Sequence, residues 1–332
     1  MESDTLDLLD QQLVHALQLN ARAPFSRIAE VLGVSDQTVA RRFTRLRGER
    51  RLRVLGLTDP EALGETRWLV RVRCTPDASA AVAEALTRRE DTTWVSLTSG
   101  GTEISCMTRS HPEEDEHSLL LQRLPRTPSV VGVTAHCVIH TFFGGELSMV
   151  TKYGALDAGQ IAALRLPRPA RPSGPAPALD DADRRLLDVL AADGRAGLAE
   201  LAAATGWSQS TVRRRMDELT DRGVLYFDLD SDWRMFGIRT CTMLWFSVDP
   251  ARLAATGAAL AEHHEVAYAC ATTGPTNLHA VVLTTDVRAL YTYLTERIAA
   301  LPGIGRMESA PIMRNIKGPG PLPTVPQAAR RR

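Results

Sequence analysis

A chain of 332 residues is about twice the size of an ordinary domain, so two or more domains are expected. An apolar fraction of 44% with 23% charged residues suits a soluble globular protein with sizeable cores. The 39 basic residues balance 39 acidic ones, which excludes a global positive field; any nucleic-acid contact has to come from local patches.

Cys74, Cys106, Cys137, Cys241 and Cys270 show no CxxC spacing and read as buried reduced thiols. His136 and His140 share a face of a candidate strand without a third ligand nearby in sequence, so no metal site is expected. The first residues are acidic and polar, unlike a signal peptide, and no run approaches the roughly 18 apolar residues of a membrane span. The reading is a cytoplasmic protein. No phosphate loop, nucleophile–base pair or carboxylate dyad stands out, so neither a cofactor nor an enzyme activity is expected.

In chain order, Leu6, Leu9, Leu13 and Leu17 predict a first helix over 5–20. Pro24 opens a second helix over 24–32, which Gly33 ends. Ser35 is an N-cap for a third helix running to about Glu49. Two helices joined by a short glycine-containing turn are the helix-turn-helix pattern. On the third helix Val39, Phe43 and Leu46 share one side, while Gln37, Arg41, Thr44 and Arg45 share the other. Gln and Arg suit base edges. Seven arginines against Asp36 and Glu49 give residues 36–53 a balance of +5, which fits phosphate contact. The apolar stretch 52–57 supplies a wing strand.

From residue 67 the order is strand 68–74, helix 77–88, strand 91–98, strand 101–109, helix 112–123, strand 129–139. This is the split βαβ of ferredoxin-like folds. Residues 165–179 hold five prolines and read as an extended linker able to span about 45 Å.

The chain then repeats itself. A shift of 173 residues aligns 10–46 with 183–219 without a gap, and 13 of 37 positions are identical, among them Asp10, Arg22, Gly33, Ser35, Arg41 and Arg42. In the second copy the window 209–226 carries only +1, so the first module is expected to dominate DNA affinity. A second ferredoxin-like order follows over 240–247, 250–262, 265–273, 276–285, 286–300 and 304–313.

The expected fold class is therefore α+β, with two tandem repeats, each a winged helix-turn-helix followed by a ferredoxin-like domain. The divisions are 1–58, 64–143, an extension and linker at 144–179, then 180–232, 237–317 and a disordered tail at 318–332. DNA contact is expected from Ser35, Gln37, Thr38, Arg41, Arg42, Arg45 and Arg51, and from Ser208, Ser210, Thr211, Arg213 and Arg214.

The chain resembles the leucine-responsive regulatory protein/AsnC (feast/famine) family of transcription regulators. The resemblance lies in the Leu-Gly-Val-Ser turn at 32–35, Thr38-Val39-x-x-Arg42-Phe43-x-Arg45-Leu46, and Asp59-Pro60-x-x-Leu63-Gly64. In the second copy it lies in Thr211-Val212-x-x-Arg215-Met216, Leu301-Pro302-Gly303-Ile304 and Ile316-Lys317. It implies pairing of ferredoxin-like domains and a small-molecule effector, such as an amino acid, near the turn between their second and third strands. Here that turn holds Gly100, Thr102 and Glu103 in one copy and Gly274, Thr276 and Asn277 in the other. The family's Gly-Asp-x-Asp is absent from both, so an aspartate suited to an amino-group contact is missing, and the effector is an amino acid or another small molecule.

The expected partners are double-stranded DNA, an effector, the other half of the same chain as a pseudo-dimer, and further copies of the chain. Two other readings stay open. Sirohaem decarboxylases share this layout, but their second sheet strand carries a His-Asn-Tyr run where this chain has Thr93-Trp94-Val95 and Ala267-Tyr268-Ala269. The other is a protein-interaction scaffold that does not bind DNA.

Overall fold

The computed structural model describes residues 6–75, 77–110, 123–124, 126–145, 148–166 and 176–322. The helix expected at 112–123, the centre of the linker and residues 323–332 fall wholly or almost wholly outside these.

The first helix-turn-helix comprises α1 (Leu8–Leu19), α2 (Phe25–Leu32) and α3 (Asp36–Gly48). Its boundaries follow from local chemistry. The Asp7 carboxylate accepts from the Asp10 N–H at the start of α1, Gly33 ends α2 at φ 67°, and Ser35 Oγ accepts from the Thr38 N–H. Leu13, Leu17, Ile28, Val39 and Leu46 form its buried core. The second copy comprises α7 (Asp181–Ala192), α8 (Leu198–Thr205) and α9 (Gln209–Asp221), with Asp180 and Asp183 in a reciprocal capping box.

Strand β1 (Leu52–Thr58) lies where the wing is expected, but its partner comes from the other repeat. It runs antiparallel to β6 (Leu225–Ser231), from Leu52 opposite Ser231 to Thr58 opposite Leu225. The two wings are thus one two-stranded sheet joining both helix-turn-helix modules.

The remaining strands are β2 (Thr66–Cys74), β3 (Thr92–Thr98), β4 (Glu103–Ser110), β5 (Val130–Phe143), β7 (Thr240–Val248), β8 (Val266–Thr272), β9 (Leu278–Thr284) and β10 (Ile304–Asn315). They close into one barrel in the order β10-β3-β4-β2-β5-β8-β9-β7. Each half contributes a four-stranded ferredoxin-like sheet, and each half's last strand crosses to the other. Up to Cys137, β5 pairs with β2, and from Val138 it pairs with β8. Strand β10 pairs with β7 up to Pro311 and with β3 from Ile312. Both strands run past their expected ends because each serves two sheets. Pro311, which has no N–H to donate, sits at the change of partner. Closure leaves the barrel no free edge among the described residues.

Helices α4 (Ser79–Thr87) and α10 (Leu253–Ala261) pack outside the barrel, and α11 (Val287–Thr292) continues as a wider turn to Ile298. The protein's two lysines brace the halves. Lys152 Nζ, in the single turn α5 (Val150–Tyr153), donates to the carbonyls of Ala261, His263 and Val266 at 2.7, 2.7 and 2.9 Å. Burial pushes its pKa down to about 8. Lys317 Nζ donates to the Arg89 carbonyl at 2.5 Å in the opposite half.

The extension gains a helix, and one expectation changes. The extension after β5 contains a capped helix, α6 (Ala158–Leu164), whose Leu164 is buried in the first helix-turn-helix core. Residues 318–322, placed in a disordered tail, are held by backbone. The Gly318 carbonyl accepts from the Trp94 N–H at 3.0 Å, and the Pro321 carbonyl accepts from Arg53 at 3.0 Å.

Candidate functional site

Both third helices keep the two faces their spacing implies. Gln37, Arg41, Thr44 and Arg45 are exposed on α3, and Ser210, Arg213, Arg214 and Asp217 on α9. Their arginines divide into two kinds. Arg42 donates to Asp7 at 2.5 Å and Asp10 at 2.8 Å, and Arg45 also donates to Asp10. Arg47 pairs with Asp193 at 2.7 Å, Arg51 with Glu49 at 3.7 Å and Arg53 with Asp230 at 2.5 Å. Among the described residues, Arg41 and Arg50 carry no ion pair.

The window balance of +5 therefore overstates the free charge, because Asp7, Asp10, Asp193 and Asp230 reach in from outside the window. On α9, Arg215 forks onto Asp183 at 2.7 Å and meets Glu218 at 2.8 Å, leaving Arg213 and Arg214 without an ion pair among the described residues. Each module thus offers two such arginines. The expected asymmetry shrinks to the exposed Asp217 and Asp221 beside them on α9. Ser35 and Thr38, like Ser208 and Thr211, hydrogen-bond one another at 2.9 Å as helix caps.

The two modules are locked reciprocally. Arg22 donates to the carbonyls of Gly194 and Ala196 at 2.6 and 3.0 Å, and Arg195 donates to those of Ala21 and Ala23 at 2.5 and 2.9 Å. Sequence reasoning missed this role. The signal was an arginine retained in both repeats at a loop position with no apolar periodicity to explain it.

The turns named as effector positions do not meet. Thr273, next to Gly274, bonds β5: its N–H donates to the Cys137 carbonyl at 2.9 Å, and its carbonyl lies 2.7 Å from His136 Nδ1. The turn at 99–101 precedes Thr102 on the far side of the barrel, beside β3 and β10. Gly100 is in the left-handed region at φ 72°, and Gly274 at φ 101° has the His136 ring where a Cβ would sit. The Thr102 hydroxyl donates to the Ser99 carbonyl at 2.9 Å, and the Thr276 carbonyl accepts from Thr272 at 3.0 Å. Asn277 latches both backbone groups of Val248 at 2.8 and 2.9 Å. Glu103 is buried and accepts from Arg71 at 2.6 and 3.1 Å. These residues hold turns and strands together, and none lines the cavity described next.

That cavity, about 260 Å³, lies between the wing sheet and the barrel interior. Leu57 and Tyr226 come from the wings, Leu69 and Met107 from the first half, and Met243 and Val281 from the second. Asp228 of β6 also lines it, and burial pushes its carboxyl up to about 6 against hydrogen bonds from the Leu229 N–H and Gln18. A carboxyl raised above its ordinary value of 3.8 binds an extra proton in the folded state between those two pH values. Folding stability contributed by Asp228 should therefore rise on acidification from about pH 7 towards 4. Relative to Asp228→Asn, the unsubstituted chain should gain stability over that window in denaturant titrations; a constant difference would count against it.

Among the described residues no helix is long and apolar enough to cross a membrane, and no group of three or more His, Cys, Asp or Glu is placed to hold a metal. The pattern of the AsnC-type helix-turn-helix domain matches residues 6–47 and 179–220, and that of the Lrp/AsnC ligand binding domain matches 241–322, together half the chain. The HTH-type transcriptional regulator Ptr1 of Methanocaldococcus jannaschii is 25% identical over 146 residues, 44% of this chain and 99% of Ptr1. The HTH-type transcriptional regulator LrpA of Mycobacterium tuberculosis is 56% identical over 48 residues, 14% of this chain and 32% of LrpA. Among solved structures, the siroheme decarboxylase NirDL overlays with a TM-score of 0.60 at 14% identity, covering 93% of this chain and 92% of NirDL. At that identity the overlay speaks for the fold alone.

Proposed function

The chain belongs to the Lrp/AsnC family of HTH-type transcriptional regulators, and on that premise we propose that α3 and α9 are its DNA-reading helices and that an effector bound between its ferredoxin-like halves controls it. One observation carries the first part. Gln37 and Arg41 on α3, and Ser210, Arg213 and Arg214 on α9, stand exposed and free of ion pairs among the described residues. Meanwhile β1–β6 and the Arg22/Arg195 exchange fix the two helices relative to each other. The pair then reads two unlike half-sites with one rigid head. Arg41 serves a base edge, with Gln37 and Ser210 beside the bases. Arg50, Arg213 and Arg214 serve phosphates. Arg42 and Arg45 act mainly by shaping the module through Asp10.

In this reading the protein works in the cytoplasm on double-stranded DNA and assembles into further oligomers. It acts as a regulator without enzyme activity. A cavity of about 260 Å³ lies below the roughly 300–1,000 Å³ that holds drug-sized ligands. Thr93-Trp94-Val95 and Ala267-Tyr268-Ala269, where the decarboxylases carry a His-Asn-Tyr run, weigh against a decarboxylase role.

The test is a gel shift on DNA from upstream of the protein's own gene. Arg41→Ala should cost about 1–3 kcal/mol of binding, and Arg214→Ala, its repeat equivalent, the lower end of that range. The log–log salt slope should lie at roughly −3, as three phosphate-bound arginines require. Unchanged affinity in both variants with a slope near zero would favour the scaffold reading.

A further inference from the structure

The cavity under the wing sheet carries two independent signs of a missing partner. Ser105 Oγ and His279 Nδ1 belong to residues that line it, are buried, and have no hydrogen-bond partner among the described residues, while the Tyr268 hydroxyl beside them lies within reach of Cys270 and Thr141. Ser105 and His279 are each 1% exposed. A buried polar atom left unsatisfied costs about 1–3 kcal/mol, so two such atoms on one cavity wall mark it as open to a bound molecule. Burial holds His279 neutral, with its pKa pushed down to about 3 against a backbone hydrogen bond at Leu244.

The second sign is charge. Arg67 on β2 and Arg109 on β4 stand directly opposite each other, and both line the cavity. Like charges opposed across a strand pair destabilise it unless an anion lies between them. Arg67 donates to the Thr141 hydroxyl at 3.2 Å, and Arg109 to the Thr58 hydroxyl at 2.8 Å with the Glu65 carboxylate 3.8 Å away. The other acids that line the cavity are engaged. Asp91 is forked by Arg89 at 2.8 and 2.5 Å, Asp230 pairs with Arg53 at 2.5 Å, and Asp228 takes Gln18 at 3.1 Å and the Leu229 N–H at 2.8 Å.

We propose that this cavity binds a small carboxylic acid with an apolar body, its carboxylate held between Arg67 and Arg109 and its body against Leu69, Met107, Met243 and Ile312. The proposal rests on the reading of this interface as the effector site, and adds the ligand's charge and location. An amino acid gains less, since Asp91 and Asp230 are each taken by an arginine and its ammonium could reach only Asp228, whose two hydrogen bonds both fall on Oδ1. Leu57 and Thr58 of β1, with Tyr226 and Asp228 of β6, close the wing side, so occupancy bears on the strands that tie the two DNA-reading modules together.

Isothermal titration of the full chain with 3-phenylpropionate, phenylalanine and phenethylamine separates acid, zwitterion and amine on one apolar body. The acid should bind roughly tenfold or more tightly than either other probe, the factor expected of one charge-assisted hydrogen bond. Arg67→Met should abolish binding and Arg67→Lys restore part of it, with circular dichroism checking that both variants fold. Phenylalanine binding as tightly as the acid would overturn the proposal. So would undiminished acid binding by folded Arg67→Met, or no binding of 3-phenylpropionate, phenylacetate and 4-phenylbutyrate. A gel shift with the acid present distinguishes the two levels. Acid binding that leaves DNA affinity unchanged keeps the site and removes effector control.

Discussion

Replacing Arg215 by Met should cost about 3–5 kcal/mol of folding stability, while replacing its neighbour Arg214 by Ala should change stability by less than about 0.5 kcal/mol. The two residues are adjacent on α9 and differ only in where their guanidinium groups go. Arg215 forks onto Asp183, a carboxylate 2% exposed at the start of α7. Those hydrogen bonds hold the Asp183 carboxyl below its ordinary range. Without Arg215 the charge stays buried with little beyond the Asp180 N–H, 3.1 Å away. Arg214 has no such partner and should weaken DNA binding without unfolding anything. The first repeat makes a finer contrast. Asp10 accepts from both Arg42 and Arg45, so Arg42→Met should cost less than Arg215→Met. Urea titrations of the three variants decide it, and equal losses for Arg214 and Arg215 would show that the inward pairing carries no stability.

The second large effect is expected at Arg71. It sits on β2 inside the barrel, donates to Glu103 of its own half and to Glu308 of β10 at 2.5 and 3.0 Å, and lies over the Trp245 ring at 4.0 Å. One guanidinium thus neutralises a carboxylate from each half at the seam between them. Arg71→Met should cost about 3–5 kcal/mol, because Glu103 would remain buried and charged beside Glu308. Adding Glu103→Gln and Glu308→Gln to Arg71→Met should recover most of that loss, since the uncompensated charges go with it. A triple variant no more stable than Arg71→Met would instead assign the loss to packing against Trp245.

Much of this protein was legible in the order of its residues. Gly33 and Gly206, Ser35 and Ser208, and the apolar spacing of Val39, Phe43 and Leu46 act within a few residues of themselves, so they mark the helix-turn-helix modules directly. Alternation and turn residues likewise gave the strands of two strand–helix–strand–strand–helix–strand orders, because a strand's two faces repeat every second residue; the helix expected at 112–123 lies outside the described residues. The 173-residue repeat made the duplication visible.

What only the tertiary structure decided were the partners of those elements. Nothing in the period of 52–57 says that β1 pairs with β6 of the other repeat, since backbone pairing across about 170 residues leaves no local trace. The same holds for the crossing of β5 and β10 that closes the barrel, and for the tail beyond Lys317 that lies against Trp94. Arginines were the least legible of all. Their side chains are long enough to turn towards a distant acid or towards solvent from the same backbone position. Arg41 and Arg42 are therefore alike in sequence and opposite in role. Arg67 and Arg109 became a pair only when β2 and β4 set them face to face.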